Sequence, residues 1–466
     1  MTRKKGLGGR VRRGARLAGT GIRGAGGIAG AKARSLTGRE EDLEAFHLEM
    51  ATRLADVLGE MKGAAMKVGQ LLSFVDLDLP PEIRTVYHEA LAKLQDDAPT
   101  FDPEAIEQVI REEYGAGPEA IFATWSREPL ASASIGQVHA ATLDDGREVV
   151  VKVQYPGVAE AVRADLANAE AFAPLARLVS PNQEVGPLID ELRDRVNDEL
   201  DYQREAQYQR AFAQRYAGHP FIHVPEIVGD LCRARVLVSE RVHGERFETF
   251  ARGATPAQKQ EVGEIVFRYA FGSIGRFRLF NGDPHPGNYL IEGVGPEGAR
   301  RVAFLDYGSV KMFTRERYAS MRAVDDAVAD DDRERFLEAM RESGFLPPTV
   351  RVDEERLFAW FKLYTQPVLA EQFEFTPEFA AEVLRSTTDP RNEYYDVLRK
   401  LNLPPDYLLL NRIQWGLNSV LARLGAKNDW AAIRDEYVHD APPATALGEL
   451  DRAWWIGRDP EVDPPA

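Results

Sequence analysis

The chain has 466 residues, 44% of them apolar and 28% charged, enough length and apolar content to bury a sizeable core and not the composition of a disordered protein. Its one cysteine, Cys232, excludes an intramolecular disulfide and argues against a cysteine-built zinc site, and no run of about 18 apolar residues reads as a membrane-spanning helix. Of the 58 Lys and Arg residues, ten fall in residues 1–38, where there is no acid, and the other 48 face 74 acidic side chains.

Residues 1–38 therefore read as a flexible, basic, Gly- and Ala-rich tail on an acidic body. Such a tail is suited to an anionic membrane surface, while the acidic body opposes general binding of nucleic acid. The tail lacks the continuous apolar core of about 7–15 residues that a cleaved export signal needs, so the expected location is cytoplasmic, peripheral to a membrane where the tail meets lipid.

From Glu40 the pattern turns helical, with Leu43, Phe46, Met50, Leu54, Val57, Leu58 and Met61 at three- and four-residue steps. This helix runs into Lys67-Val68-Gly69-Gln70 and is broken by Pro80-Pro81, and further helices are predicted over 82–95 and 103–114. Residues 39–120 thus form a helical extension. Strand character begins near Leu130, and Val138 to Leu143, the Asp144-Asp145-Gly146 turn and Glu148 to Val153 spell a hairpin. Residues 158–180 and 187–216 read as helices, and 224–228 and 234–240 as strands, which makes 121–245 a small sheet with an inserted helix. Residues 246–440 are mostly helical, with short strands at Leu290-Ile291 and Val302 to Leu305, and 441–466 form an acidic, Pro-rich tail. The predicted fold class is α+β and bilobal, with helices added at both ends.

Five polar residues stand in the order that phosphoryl transfer requires: Lys152, Glu205, Asp283, Asn288 and Asp306. Lys152 lies among valines, where an ammonium is costly unless paired; holding nucleotide phosphates beside a helix glutamate answers that, and the alternative is a lysine snorkelling from an edge strand. The helix after the strand supplies Asp201 and Glu205, four apart and hence on one face, with Glu199 pointing away. In Asp283-Pro-His-Pro-Gly-Asn288 the prolines and glycine forbid regular structure. An aspartate in that rigid loop can orient or deprotonate an attacking hydroxyl, and the asparagine amide oxygen can hold Mg²⁺. Asp306 follows the apolar run Val302 to Leu305 and precedes Gly308, the position of a carboxylate that binds Mg²⁺ on phosphates. His285, alone between prolines, reads as structural. Residues 131–139, Ala-Ser-Ala-Ser-Ile-Gly-Gln-Val-His, stand where a kinase has its Gly-rich phosphate loop but hold one glycine, so the loop is stiffer and approaches phosphates less closely.

With Lys67-Val68-Gly69-Gln70, the Ala/Ser-rich loop, Val151-Lys152, Glu199-Leu200-Asp201, Glu205, Asp283 to Asn288 and Asp306-Tyr307-Gly308, residues 67–308 resemble the UbiB/AarF (ABC1/ADCK) family of atypical protein-kinase-like proteins. The resemblance implies a kinase-like fold whose Lys-x-Gly-Gln helix covers the active site, with Lys67, Gln70, Glu199 and Asp201 as regulatory residues that exclude protein substrates. It implies Glu205 as the partner of Lys152, Asp283 as the catalytic aspartate and Asn288 and Asp306 as Mg²⁺ ligands. Ala131, Ser132, Ala133, Ser134, Ile135, Gly136, Lys152 and Glu240 form the nucleotide-binding set, with ATP or ADP and Mg²⁺ as cofactors. The family implies an ATPase or phosphotransferase linked to isoprenoid-lipid or quinone metabolism at membranes, with a lipid or phenolic ligand. A nucleotide-binding scaffold with weak catalysis is the alternative, and an antibiotic-type small-molecule phosphotransferase leaves the Lys-x-Gly-Gln extension unexplained. The chain departs from the family pattern in two places: Asn281 stands where a scaffold histidine is usual, and the C-terminal segment is acidic and Pro-rich where the ubiquinone branch often has membrane helices.

Overall fold

A computed structural model describes residues 102–133, 135–160, 163, 197–282, 284–295, 298–389, 391–402 and 405–458. The basic tail, the helical extension before residue 102, and Lys67, Gln70, Ser134 and Asp283 lie outside them, as does most of 158–196. Contacts divide the chain into two units: residues 1–120, 126–139 and 152–200 in one, residues 121–125, 140–151 and 201–466 in the other.

In the first unit, Asp102 caps helix α1 (Pro103–Tyr114) by accepting the Glu104 N–H, Pro103 presets the first turn, and Gly115 ends the helix at φ 74°. Ile106, Val109 and Ile110, at three- and four-residue spacing, are its buried stripe. Strands β1 (Thr124–Ser132), β2 (Gly136–Thr142) and β3 (Glu148–Gln154) contribute to both units and line up as β1-β2-β3-β5, where β5 is Val236–Glu240. The predicted hairpin is present, with Gly146 taking the positive φ of 86° its turn demands.

The second unit opens with helix α2 (Tyr202–Arg215), and the structure corrects the continuous helix predicted over 187–216. Leu200 is a turn and Asp201 is the N-cap, its carboxylate accepting the Gln203 and Arg204 N–H groups at 3.1 and 3.0 Å. Asp201 therefore does not share a helix face with Glu205. Its oxygen satisfies donors that the first turn leaves open. The strand predicted over 224–228 also fails: Pro225 offers no N–H to a ladder, only the bridge Ile227–Ser239 forms there, and the neighbouring strand is β4 (Ile222–His223).

After β5 come β6 (Glu245–Arg246), helix α3 (Phe247–Gly253) and helix α4 (Pro256–Phe277), the last closed at its start by a Thr255/Gln258 capping box. Strands β7 (Leu279–Asn281) and β10 (Val310–Met312) pair antiparallel on either side of β8 (Tyr289–Val294) and β9 (Arg300–Phe304), which belong to a second sheet ordered β4-β9-β8-β6. Helices α5 (Arg315–Ala329), α6 (Arg333–Glu342) and α7 (Glu354–Thr365) bury Ala327, Phe336, Met340 and Leu357 in a separate cluster. Helices α8 (Pro377–Thr388), α9 (Pro405–Leu424), α10 (Trp430–Val438) and α11 (Ala446–Trp455) complete the described chain. The main core joins Phe212 of α2, Val262 to Tyr269 of α4, Phe304, Tyr307, Leu421 and Trp430. Among the described residues no helix is long and apolar enough to cross a membrane.

Candidate functional site

Each polar residue of the site owes its place to the element that carries it. β3 alternates buried Val149, Val151 and Val153 with half-buried Val150 and Lys152, the two-residue period of a strand with one face in the core. Because β3 is an inner strand, the alternative of an edge-strand lysine does not hold. Lys152 belongs to the first unit, whereas Glu205, Asn288 and Asp306 belong to the second.

Glu205 lies in the first turn of α2 on the buried stripe of Tyr202, Ala206, Gln209 and Phe212, and only 3% of it is exposed. An acid at a helix N-terminus is favoured by the dipole, and a buried one needs polar company. Part of that company is visible from Gly308: a Cβ built there would stand 3.4 Å from Asp306 Oδ1 and 3.7 Å from Glu205 Oε2. Two carboxyl groups thus face one small gap that the absence of a side chain keeps open.

Asn288 and Asp306 are brought together by β8 and β9. Tyr289 pairs with Phe304, and the ladder continues as Leu305 N–H donates to Asn288 C=O at 3.0 Å, so both side chains leave from adjacent strand ends. Asp306 Oδ1 accepts the Gly308 N–H at 2.9 Å, which fixes the carboxylate against its own turn. Asn281, at the end of β7, donates its side-chain N–H to the Asp306 carbonyl at 2.6 Å and hydrogen-bonds Tyr269, whose hydroxyl donates to Tyr307 at 3.1 Å. Burial comes first among the causes that push both phenols above their ordinary range. The departure at Asn281 is therefore a working scaffold donor. The Tyr269–Tyr307 pair had no signal in the sequence beyond the Asp-Tyr-Gly motif itself.

The donors suit Mg²⁺. One carboxylate and one amide oxygen are hard ligands that leave positions for water and phosphate oxygens, and among the described residues no three His, Cys, Asp or Glu side chains gather into a fuller cage. The gap at Gly308 leaves room beside the carboxylate.

The Ala/Ser-rich segment is the tip of the β1–β2 hairpin. Ala131 and Ser132 end β1 and are exposed, Ala133 N–H closes the turn on Gly136 C=O at 2.8 Å, and Ile135 and Gly136 are buried. Ile135 C=O accepts the Tyr155 N–H at 2.9 Å, so the turn is tied to the end of β3. Glu240 ends β5, and its carboxylate accepts from the Glu226 N–H at 3.1 Å and from His223 Nε2 at 3.2 Å. His223 Nδ1 donates to Glu292 at 2.9 Å. Burial alone would lower the His223 pKa; the two carboxylates outweigh it and raise it to about 9. His223 is thus an imidazolium joining β4, β5 and β8, a role the sequence did not signal. Glu199 ends a short helical turn in the first unit.

An inner-strand lysine, a buried helix glutamate, a proline-locked loop ending in asparagine and an aspartate at a strand end define a kinase-like α+β protein. The chain belongs to the ABC1 atypical kinase-like family, whose domain matches residues 93–340. It is 32% identical over 297 residues to the atypical kinase COQ8B, mitochondrial, of Rattus norvegicus, a match covering 64% of this chain and 54% of that protein. It is 34% identical over 311 residues to the probable protein kinase UbiB of Azotobacter vinelandii, covering 65% of this chain and 56% of that one. The chain spans about half the length of the curated relatives it matches. Among solved structures it resembles Rv3197 of Mycobacterium tuberculosis, determined as a complex with erythromycin, at a TM-score of 0.61 and 31% identity over 86% of this chain and 98% of that one.

Proposed function

We propose that the protein is an atypical phosphotransferase or ATPase that uses ATP with Mg²⁺. The observation that carries this reading is the joining of Asn288 and Asp306 at neighbouring strand ends, with the Asp306 backbone held by Asn281. Asn288 and Asp306 would hold the metal, which when bound neutralises charge on the phosphates. Lys152 takes the α/β-phosphates with Glu205 as its carboxylate partner, and Asp283 positions the nucleophile. Ala131 to Gly136 and Glu240 border the nucleotide, and Lys67, Gln70, Glu199 and Asp201 restrict the acceptor. Because the relatives are named COQ8B and UbiB and the Rv3197 structure contains a small molecule, the acceptor or regulator proposed is a lipid or phenolic small molecule.

Asp306→Asn and Lys152→Ala are expected to lower Mg-ATP hydrolysis by about 100-fold or more, with Asp306→Asn acting chiefly through the Mg²⁺ requirement. Wild-type binding and turnover in both variants would overturn the assignment. Nucleotide binding by the wild type without single-turnover phosphate release would favour the scaffold reading.

A further inference from the structure

His223 is the last residue of β4, and its backbone is paired with Ala303 of β9, three residues before Asp306. β9 pairs in turn with β8, the strand that follows Asn288. From this ladder the ring reaches in two directions. Nδ1 donates to Glu292 Oε2 on β8 at 2.9 Å, and Nε2 donates to Glu240 Oε2 at the end of β5 at 3.2 Å. β5 is the end member of the sheet ordered β1-β2-β3-β5, so one imidazole joins that strand to the sheet ordered β4-β9-β8-β6. His223, Glu240, Glu292, Asn288 and Asp306 all lie in the second unit. A carboxylate only accepts, so both contacts exist together only while each ring nitrogen carries a proton. A neutral ring would turn a lone pair toward one of the acids. The remaining polar groups on these acids are Arg301 of β9, its Nε 3.8 Å from Glu292 Oε2, and the Glu226 N–H, which donates to Glu240 Oε2 at 3.1 Å.

We propose that His223 is a positioning residue whose two N–H groups hold the end of β5, where Glu240 borders the nucleotide, against the strand pair that carries Asn288 and Asp306. This rests on the phosphotransfer reading above, in which Glu240 belongs to the nucleotide-binding set and Asn288 and Asp306 hold the metal. In that reading a Mg-nucleotide engages β5 and the ends of β8 and β9 at once, so the spacing between them has to suit it. Spacing fixed in advance spares the nucleotide the cost of ordering the two strands as it binds. In this role His223 transfers no proton and need not meet the nucleotide. Loss of its second N–H frees the end of β5 and weakens nucleotide binding, while the reaction of the bound complex is little changed.

Steady-state Mg-ATP hydrolysis by the full-length protein from pH 7.5 upward tests the role. His223→Gln keeps an N–H donor but carries no charge and cannot serve both acids. Its KM for Mg-ATP at pH 7.5 is expected to be about 3–10-fold above wild type, with kcat within about twofold. Burial alone would lower the His223 pKa, and the two carboxylates raise it to about 9, so the wild-type bridge is intact below that pH and lost above it. The wild-type KM should therefore climb toward that of His223→Gln between about pH 8 and 10, while the variant's own stays flatter. Glu292→Gln keeps an acceptor for the Nδ1–H but removes one charge that favours the imidazolium, so its rise in KM should begin at lower pH. A lower melting temperature in His223→Gln with the wild-type KM at every pH would make the ring a structural tie alone and overturn the proposal. Should His223→Gln fail to fold, the wild type and Glu292→Gln decide by themselves, and coincident KM–pH curves overturn it. A wild-type protein that neither binds nor hydrolyses Mg-ATP overturns the phosphotransfer reading itself, an outcome distinct from an active variant with unchanged KM.

Discussion

Gly308 illustrates how much a missing side chain can do. Its position leaves a gap faced by Asp306 Oδ1 and Glu205 Oε2, at 3.4 and 3.7 Å from where a methyl would sit. Those are ordinary contact distances, so Gly308→Ala is expected to change stability by no more than about 1 kcal/mol. It would nevertheless place an apolar group beside the carboxylates. The apparent affinity for Mg²⁺ in the presence of nucleotide should fall several-fold while the melting temperature holds, and an unchanged Mg²⁺ titration would refute the idea that the gap serves the metal. At this scale the sequence was legible where a residue's chemistry is local. Asn288, Asp306 and the proline-locked loop could be named from type and spacing alone. The four-residue spacing of Asp201 and Glu205 puts both on one face only where the helix runs through, whereas an aspartate before a helix with an acid in its first turn is also an N-cap signal.

Between elements, the strongest unforeseen connection is His223, an imidazolium held between Glu240 and Glu292, with Arg301 near Glu292 and the Glu226 N–H on Glu240. Its pKa is about 9 in the folded chain against an ordinary 6.5, so the stabilisation is fully present below about pH 6.5 and is lost as pH rises through about 9. A loss of about 1–3 kcal/mol follows from a shift of that size. Urea unfolding midpoints measured at pH 6, 7.5 and 9.5 should fall for the wild type and stay flatter for His223→Gln; parallel curves would rule out the imidazolium bridge. Nothing in the local pattern signals this bridge, since His223, Glu240 and Glu292 come from three strands far apart in sequence. The strand misread at 224–228 is a different failure. Pro225 was in plain view, and its C=O instead accepts the Gln209 side-chain N–H of α2 at 2.8 Å, a bond only the tertiary fold supplies.

For the whole molecule, charge asymmetry yields the prediction with the widest reach. Ten basic residues in 1–38 set against an acidic remainder lead us to predict attraction to anionic lipid, roughly 1 kcal/mol for each Lys or Arg near the surface. Sedimentation with vesicles containing anionic lipid should capture the full chain at low salt and release it at high salt. A chain lacking residues 1–38 should stay in solution, and equal capture of both would remove the tail from the account. The α+β class was readable because it rests on short-range periodicity and motif. The network that ties the helical unit together was not. Asp451 of α11 is almost completely buried and accepts from His219, from both terminal nitrogens of Arg276 and from Tyr437. Burial opposes its charge, yet His219 and Arg276 hold its pKa well below the ordinary carboxylate range. Arg276 lies three residues before β7, the strand that carries Asn281. These partners are 175 and 232 residues apart in sequence. During synthesis, then, Arg276 gains its carboxylate partner only once α11 has been made, although β7 follows that arginine almost directly in the chain.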